Sequence, residues 1–243
     1  QINYGIKTGY NEAFIITTEK RNEILSNCAD VDERKRTDAL IRPILRGRDI
    51  KRYGYDWANL WLINTHNGIK GKLNRIHIED YPAIKAHLDQ YWDKISTRAD
   101  KGDTPYNLRN CAYLDDFNKP KAMWKIIGSN ICFSFDFNSM YCNNAVNIIT
   151  GDPDHLLQFV GLMNSKLFEW YLKISNEAPI ADERVQLYVT TLEKTLLKLD
   201  FPNDFSNIIR NRINGTATDT DVNNAVYQVY DLSDEEIGYI ESI

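Results

Sequence analysis

The hydrophobic residues of this chain change their spacing near residue 152, and that change limits the fold more than any other feature. Upstream, Ile131, Phe133, Phe135 and Phe137 alternate with Cys132, Ser134 and Asp136, the period of two that places one face of a strand on a core. Downstream of Asp152 and Pro153, the residues Leu156, Val160, Met163, Leu167, Tyr171 and Ile174 recur at steps of three and four. That spacing draws an apolar stripe along one long helix with a cap and a proline at its start. The chain therefore reads as α+β, with a strand-rich domain over residues 1–150 and a helical region over residues 151–243.

Local signals fill in this outline. Residues 4–11 read as a glycine-bounded turn feeding a strand at 13–16, and residues 19–25 as a short helix. A buried strand is expected at 60–63, then a loop at 66–75. A helix is expected from Asp80 as cap, with Pro82 in its first turn and Ile84, Leu88, Tyr91 or Trp92 and Ile95 at helical spacing. A polar loop covers 98–110. Strands at 121–127 and 131–137 read as neighbours, Asn138-Ser139 as a turn, and 145–149 as a further strand. A second long helix is expected over 184–199, and short helices over 205–213, 221–230 and 233–242. In the last, Ser233 with Glu235 and Glu236 resembles a capping box.

Composition narrows the class. With 243 residues, 43% of them hydrophobic and 26% charged, the chain is long enough to bury a real core and too apolar for disorder. No apolar run is long enough to span a bilayer, and no basic segment followed by a hydrophobic one marks a leader, so a cytoplasmic location is expected. Gln1 is not a start methionine, so the chain reads as a fragment or a processed product. Cys28, Cys111, Cys132 and Cys142 form no C-x-x-C pair and lie apart from the four histidines, which implies core thiols and no zinc site. The net charge of -5 is unevenly spread: residues 1–131 hold 22 lysines and arginines against 17 acids, and the remainder 7 against 17. A cation-rich half joined to an acidic half hints at a polyanion partner for the first.

The cations concentrate between Arg34 and Arg52, around the apolar pair Ile44 and Leu45. Arginine offers a planar fork suited to phosphate oxygens or to the acceptor edge of guanine, and Gly47 is placed to let backbone approach a duplex. A solvated charged surface is the ordinary reading of such a run. Asp49 is positioned to pair with Arg46 or Arg48. Gly5-Ile-Lys-Thr-Gly9 lacks the spacing of a Walker loop and reads either as a tight turn or as a backbone-contacting loop. No dinucleotide fingerprint, nucleophile elbow, His-Glu-x-x-His pair or Asn/Asp-Pro-Pro-Tyr/Phe element is present, and Asp103, Asp115 and Asp116 select no mechanism. Catalysis has no visible home in these residues.

Six segments, in order, carry a resemblance: residues 5–14 (GIKTGYNEAF), 41–53 (IRPILRGRDIKRY), 61–63 (WLI), 81–88 (YPAIKAHL), 119–127 (KPKAMWKII) and 162–168 (LMNSKLF). Together they resemble the TaqI-like C-terminal specificity domain of type IIG restriction enzymes, and the acidic ending at 226–240 is similar to the ending of such chains. The chain departs from that pattern at 177–184 and 200–202, where the family often has a Gly-rich turn, an Arg and a Pro-Ile-Pro exit.

The resemblance implies a strand-rich target-recognition domain that grips double-stranded DNA, followed by helices that act as a spacer and dock against a methyltransferase of the same polypeptide. No cofactor is implied for this fragment. S-adenosylmethionine for adenine methylation and Mg2+ for a nuclease are implied for the parent enzyme. On this reading Lys7, Thr8, Arg46, Arg48, Lys51 and Arg52 hold phosphates, and loops carrying Lys70, Lys72, Arg75, Arg98, Tyr106 and Arg109 read bases in the major groove. Two alternatives stay open: a non-catalytic protein-interaction scaffold with no DNA binding, and an enzyme with an unfamiliar site.

Overall fold

The computed structural model describes residues 1–128, 130, 132–175, 185–195, 201–202 and 204–242. In chain order, β1 (Ile2–Tyr4) leads to α1 (Asn11–Phe14), β2 (Ile15–Thr17), α2 (Thr18–Ser26), α3 (Val31–Leu40), β3 (Ile41–Leu45) and β4 (Leu60–Ile63). Next come α4 (Pro82–Asp89), α5 (Trp92–Ile95), β5 (Lys121–Lys125), β6 (Ile127–Gly128), β7 (Phe133–Asp136), β8 (Tyr141–Cys142) and β9 (Val146–Thr150). The remainder holds α6 (Pro153–Met163), α7 (Lys166–Ser175), β10 (Val185–Gln186), α8 (Val189–Lys194), α9 (Phe205–Ile213), α10 (Asp219–Val229) and α11 (Asp234–Glu241). This is a mixed α+β architecture, and among the described residues no helix is long and apolar enough to cross a membrane.

Two four-stranded sheets organise the first part. One runs β1-β9-β5-β7, antiparallel throughout; the other runs β2-β4-β3-β8, with the β3–β8 pair parallel. A short β10–β6 ladder joins Val185 and Gln186 to Gly128 and Ile127. The change from strands to helices falls between Thr150 and Pro153, but burial does not follow it. In the first sheet Met123, Val146 and Ile148 belong to a core shared with β2, β3, β4 and α4, whereas Ala122, Trp124, Phe133 and Phe135 belong to a core shared with α6, α7, α9 and α10. The alternation of residues on β5 thus serves two cores, because successive side chains point to opposite faces.

Several expectations are corrected by this arrangement. The strand at β7 does not have a wet face: Phe133, Ser134, Phe135 and Asp136 are all buried, and Ile131 lies outside the described residues. The polar pair is tolerated because it is satisfied. Asp136 Oδ1 accepts from Tyr55 Oη at 2.9 Å and Asn138 N at 2.9 Å, while its Oδ2 accepts from Met140 N at 2.9 Å and from the fully buried Lys121 Nζ at 2.5 Å. Residues 13 and 14 close a helical turn before β2 starts at Ile15. The cation run at 34–40 is helical, capped by Asp30, whose side chain accepts from Glu33 N at 2.7 Å. Asp80 does not cap α4; it sits in a single 3-10 turn, and Tyr81 precedes the helix without a side-chain cap.

The long helix expected across 156–174 is two helices, broken at Asn164-Ser165. Asn164 ends α6 and turns its amide onto β7, accepting from Phe133 N at 3.0 Å and donating to Phe133 O at 2.8 Å. Ser165 Oγ then accepts from Phe168 N at 3.2 Å and restarts the helix. The apolar stripe is continuous in sequence, yet these two side chains hydrogen-bond backbone better outside a helix than within one. Of the helix expected at 184–199, the described part is β10 and α8, and residues 184 and 196–199 lie outside the described residues. The short helices at 205–213, 219–229 and 234–241 match their signals, and Ser233 and Glu236 form the capping box.

Candidate functional site

Two loops that are distant in sequence are fastened into one unit. The first, 64–77, follows β4; the second, 98–110, follows α5. Leu108 N donates to Thr65 O at 2.9 Å, and Thr65 Oγ1 donates to Tyr106 O at 2.7 Å. Asn107, which is buried, donates from Nδ2 to Ile76 O at 2.9 Å and to His66 O at 3.4 Å. At the rim Asn67 donates to Asp103 Oδ1 at 2.9 Å and accepts from Asp103 N at 2.8 Å, and Arg75 pairs with Asp103 at 3.0 Å. Loops braced this densely hold their outward side chains in place.

Arg98 is the keystone of the second loop. It is 7% exposed, and its guanidinium donates to Ile95 O at 3.2 Å, Asp100 O at 3.2 Å, Asn107 O at 2.6 Å and Pro105 O. The same group lies 4.4 Å over the Phe14 ring. Burial pulls it down to about 10, still charged at neutral pH. Arg98 therefore spends its fork on backbone and offers none of it to a ligand, a correction to its expected role in base readout. The turn 5–9 docks on this loop: Gly9 has φ +71°, and a Cβ there would sit 2.9 Å from Arg98 Cδ and 2.9 Å from Asp100 O. Thr8 is buried as well, donating to Asn11 Oδ1 at 2.6 Å, so its hydroxyl serves α1 rather than the surface.

Lys7 and Arg109 come together on Asp100, at 2.9 and 3.2 Å, with Lys7 half-buried and Arg109 exposed. The Lys7 ammonium, and then Arg109, hold the Asp100 carboxyl below its usual range. Asp103 is held low first by its Asn67 hydrogen bond and then by Arg75. Lys72 pairs with Asp115 at 2.8 Å, which raises the lysine and lowers the acid. Lys70 is exposed at the tip of the hairpin closed by the Ile69–Leu73 bridge, with no ion pair among the described residues. Tyr106 donates to Asp89 at 2.6 Å and packs against Trp92, with Lys85 over its ring.

Beside the 66–75 hairpin lies an open groove of about 510 Å³, lined by His66, Lys72, Arg75, His77 and Tyr81, with Asp80 as its carboxylate. Arg36 reaches its far side, donating to Asp80 O at 3.3 Å. Nothing in the spacing of the two histidines and Tyr81 marks them as a group; only the fold of the hairpin brings them together.

The cluster at 46–52 divides. Arg46 makes a fork on the buried Asp49, with Nε–Oδ2 at 3.0 Å and Nη2–Oδ1 at 2.8 Å, so Asp49 fixes Arg46 and not Arg48. Arg48 is exposed without an ion pair among the described residues, and Lys51 is exposed 3.6 Å from Asp56. Gly47 makes its close approach to Ala145, 3.2 Å from where a Cβ would lie, rather than to a ligand. Arg52 points the other way, into the junction with the helices: it lies 3.2 Å from Asp219 and donates to Asn164 O. The turn at 143–145 links the remaining exposed cations to the loops, since Asn143 N donates to Leu45 O at 2.9 Å and Asn144 N to Ile6 O at 3.1 Å.

Among the described residues no group of three or more His, Cys, Asp or Glu is placed to hold a metal ion. A family profile, described as the TaqI-like C-terminal specificity domain, matches residues 42–196. None of the curated proteins compared matches the chain. Among solved structures the chain is similar to the Type IIL restriction-modification enzyme MmeI, whose structure was determined in complex with DNA, with a TM-score of 0.66 and 14% identity over 96% of this chain and 33% of that one. The likeness is one of fold, and the chain spans about a third of the length of its neighbour.

Proposed function

The chain belongs to the TaqI-like C-terminal specificity domain family, and from that membership we propose that it reads a short sequence in double-stranded DNA as the specificity part of a larger type IIG restriction-modification polypeptide. The observation that carries the proposal is the cross-bracing of loops 64–77 and 98–110, which presents Lys7, Lys70, Lys72, Arg75 and Arg109 from one rigid unit. In the major groove each base pair shows its own donor and acceptor pattern, and a reader needs outward side chains whose positions are fixed.

Lys7, Arg109, Lys72, Arg48 and Lys51 are assigned to phosphates, and the tip of the 66–75 hairpin to base edges, while Thr8, Arg46, Arg52, Arg98 and Tyr106 hold the scaffold. Chemistry is supplied elsewhere in the polypeptide: a methyltransferase using S-adenosylmethionine on an adenine amine, and a nuclease using Mg2+. In a bacterial cytoplasm such a protein serves defence. The surface left for those neighbouring domains is the outer side of α7 and α11, where Ile174 and Tyr239 are exposed, because α6 is spent on the core. Selection from a randomised duplex library by the full-length protein, followed by sequencing, tests this: a recovered motif is expected. Absence of any salt-dependent DNA binding supports the interaction-scaffold reading instead.

A further inference from the structure

His66 is half-buried at the start of the 66–75 hairpin. Its backbone is fixed on both sides, with His66 N donating to Asn64 O at 2.7 Å and Ile76 N donating to His66 O at 3.1 Å. Its Nδ1 accepts from Gly68 N at 3.3 Å. Burial lowers the imidazole from its ordinary value, so it is neutral at physiological pH. With Nδ1 accepting, the single ring proton of the neutral form lies on Nε2. That atom has no hydrogen-bond partner among the described residues, and the ring lines the 510 Å³ groove.

We propose that His66 is a specificity-determining residue whose Nε2–H donates to an acceptor on the edge of a base seated at the mouth of this groove. The inference rests on the DNA reading above and deepens it. A neutral ring with one nitrogen already engaged offers a donor and nothing else. It accepts purine N7, guanine O6 or thymine O4 as partner and rejects the exocyclic amines of adenine and cytosine, which present donors. Lys72 and Arg75 flank the ring, tethered to Asp115 and Asp103, and supply the charge that a phosphate takes. The division of labour is direction from His66 and charge from its neighbours.

Two substitutions separate the roles of the ring. In His66→Asn the amide oxygen stands where Nδ1 stood and keeps the Gly68 bond, but nothing reaches the place of Nε2. In His66→Gln an amide N–H is restored near that place. Selection from a randomised duplex library with the full-length protein is expected to show one position of the wild-type motif relaxed in His66→Asn by about fivefold to tenfold. His66→Gln is expected to recover most of that preference, with binding to non-cognate duplex unchanged in both. An unaltered motif in His66→Asn overturns the proposal while leaving the DNA reading intact, as does a uniform loss across all sequences, which marks a phosphate contact. Failure of the wild-type protein to select any motif overturns the specificity reading itself and this inference with it.

Discussion

Arg52 and Asp219 lie 3.2 Å apart, 167 positions apart in sequence, across the junction between the strand-rich part and the helices. Arg212 takes the other oxygen of the same carboxylate at 2.5 Å and lies 4.8 Å over the ring of Tyr53, which has φ 66°. One acid thus holds two guanidinium groups over one aromatic face. Removing it in Asp219→Ala leaves two partly screened cations together, and a stability loss of about 1 kcal/mol is expected, the discount reflecting exposure. Chemical denaturation of Asp219→Ala, Arg52→Ala and the double variant should show coupling between the two sites.

Arg98 predicts a larger effect. Replacing it with methionine leaves several carbonyls facing a neutral side chain, and a loss of about 2 kcal/mol or more is expected. Lysine at this position offers one point charge where a fork is needed, so Arg98→Lys should not restore the wild type. Hydrogen exchange should quicken at Gly102 and Leu108, whose amides donate to Asn107 O and Thr65 O.

Asn164 acts as a strand edge for Phe133. In Asn164→Ala the amide of Phe133 loses its partner inside the core while Phe133 O keeps the bond from Tyr53 N, and thermal unfolding should report a cost of about 2 kcal/mol. Asn164→Asp keeps the acceptor for Phe133 N but loses the donor to Phe133 O, and it is expected to be destabilised as well.

Asp100, Asp103 and Asp115 are held below the 3.8 of a free aspartate by their partners. A depressed folded value means that their contribution is present above the unfolded value and is lost as pH falls through the folded one. Stability from these pairs should be flat between pH 5 and 8 and decline below about pH 4. Denaturant unfolding across that range should show a shallower acid decline in a variant with all three changed to asparagine, and in high salt.

How far the residues announce this structure depends on the sequence distance of their partners. The change of period at 152, β4, the helices at 205–213 and 234–241 and the Arg46–Asp49 pair follow from local spacing, and all are present. The break at Asn164 was hidden because the apolar stripe runs through it; what decides it is a strand 31 positions upstream. The same limit governed the cations. Arg52 and Arg98 look like Lys7 and Arg109 in sequence, and only the fold turns the first pair inward and the second outward. His66 carried no signal, since the bond that orients it depends on the turn at Gly68.

The salt dependence of DNA binding by the full-length protein reads this inward and outward sorting of the cations. Each phosphate contact contributes about 0.9 to the slope of log K against log salt concentration. The double variant Lys7→Ala, Arg109→Ala should flatten the slope by about 2, whereas Arg52→Ala should leave it unchanged. A slope that flattens in Arg52→Ala and not in the loop variant would mean that Arg52 meets phosphate and that Lys7 and Arg109 do not.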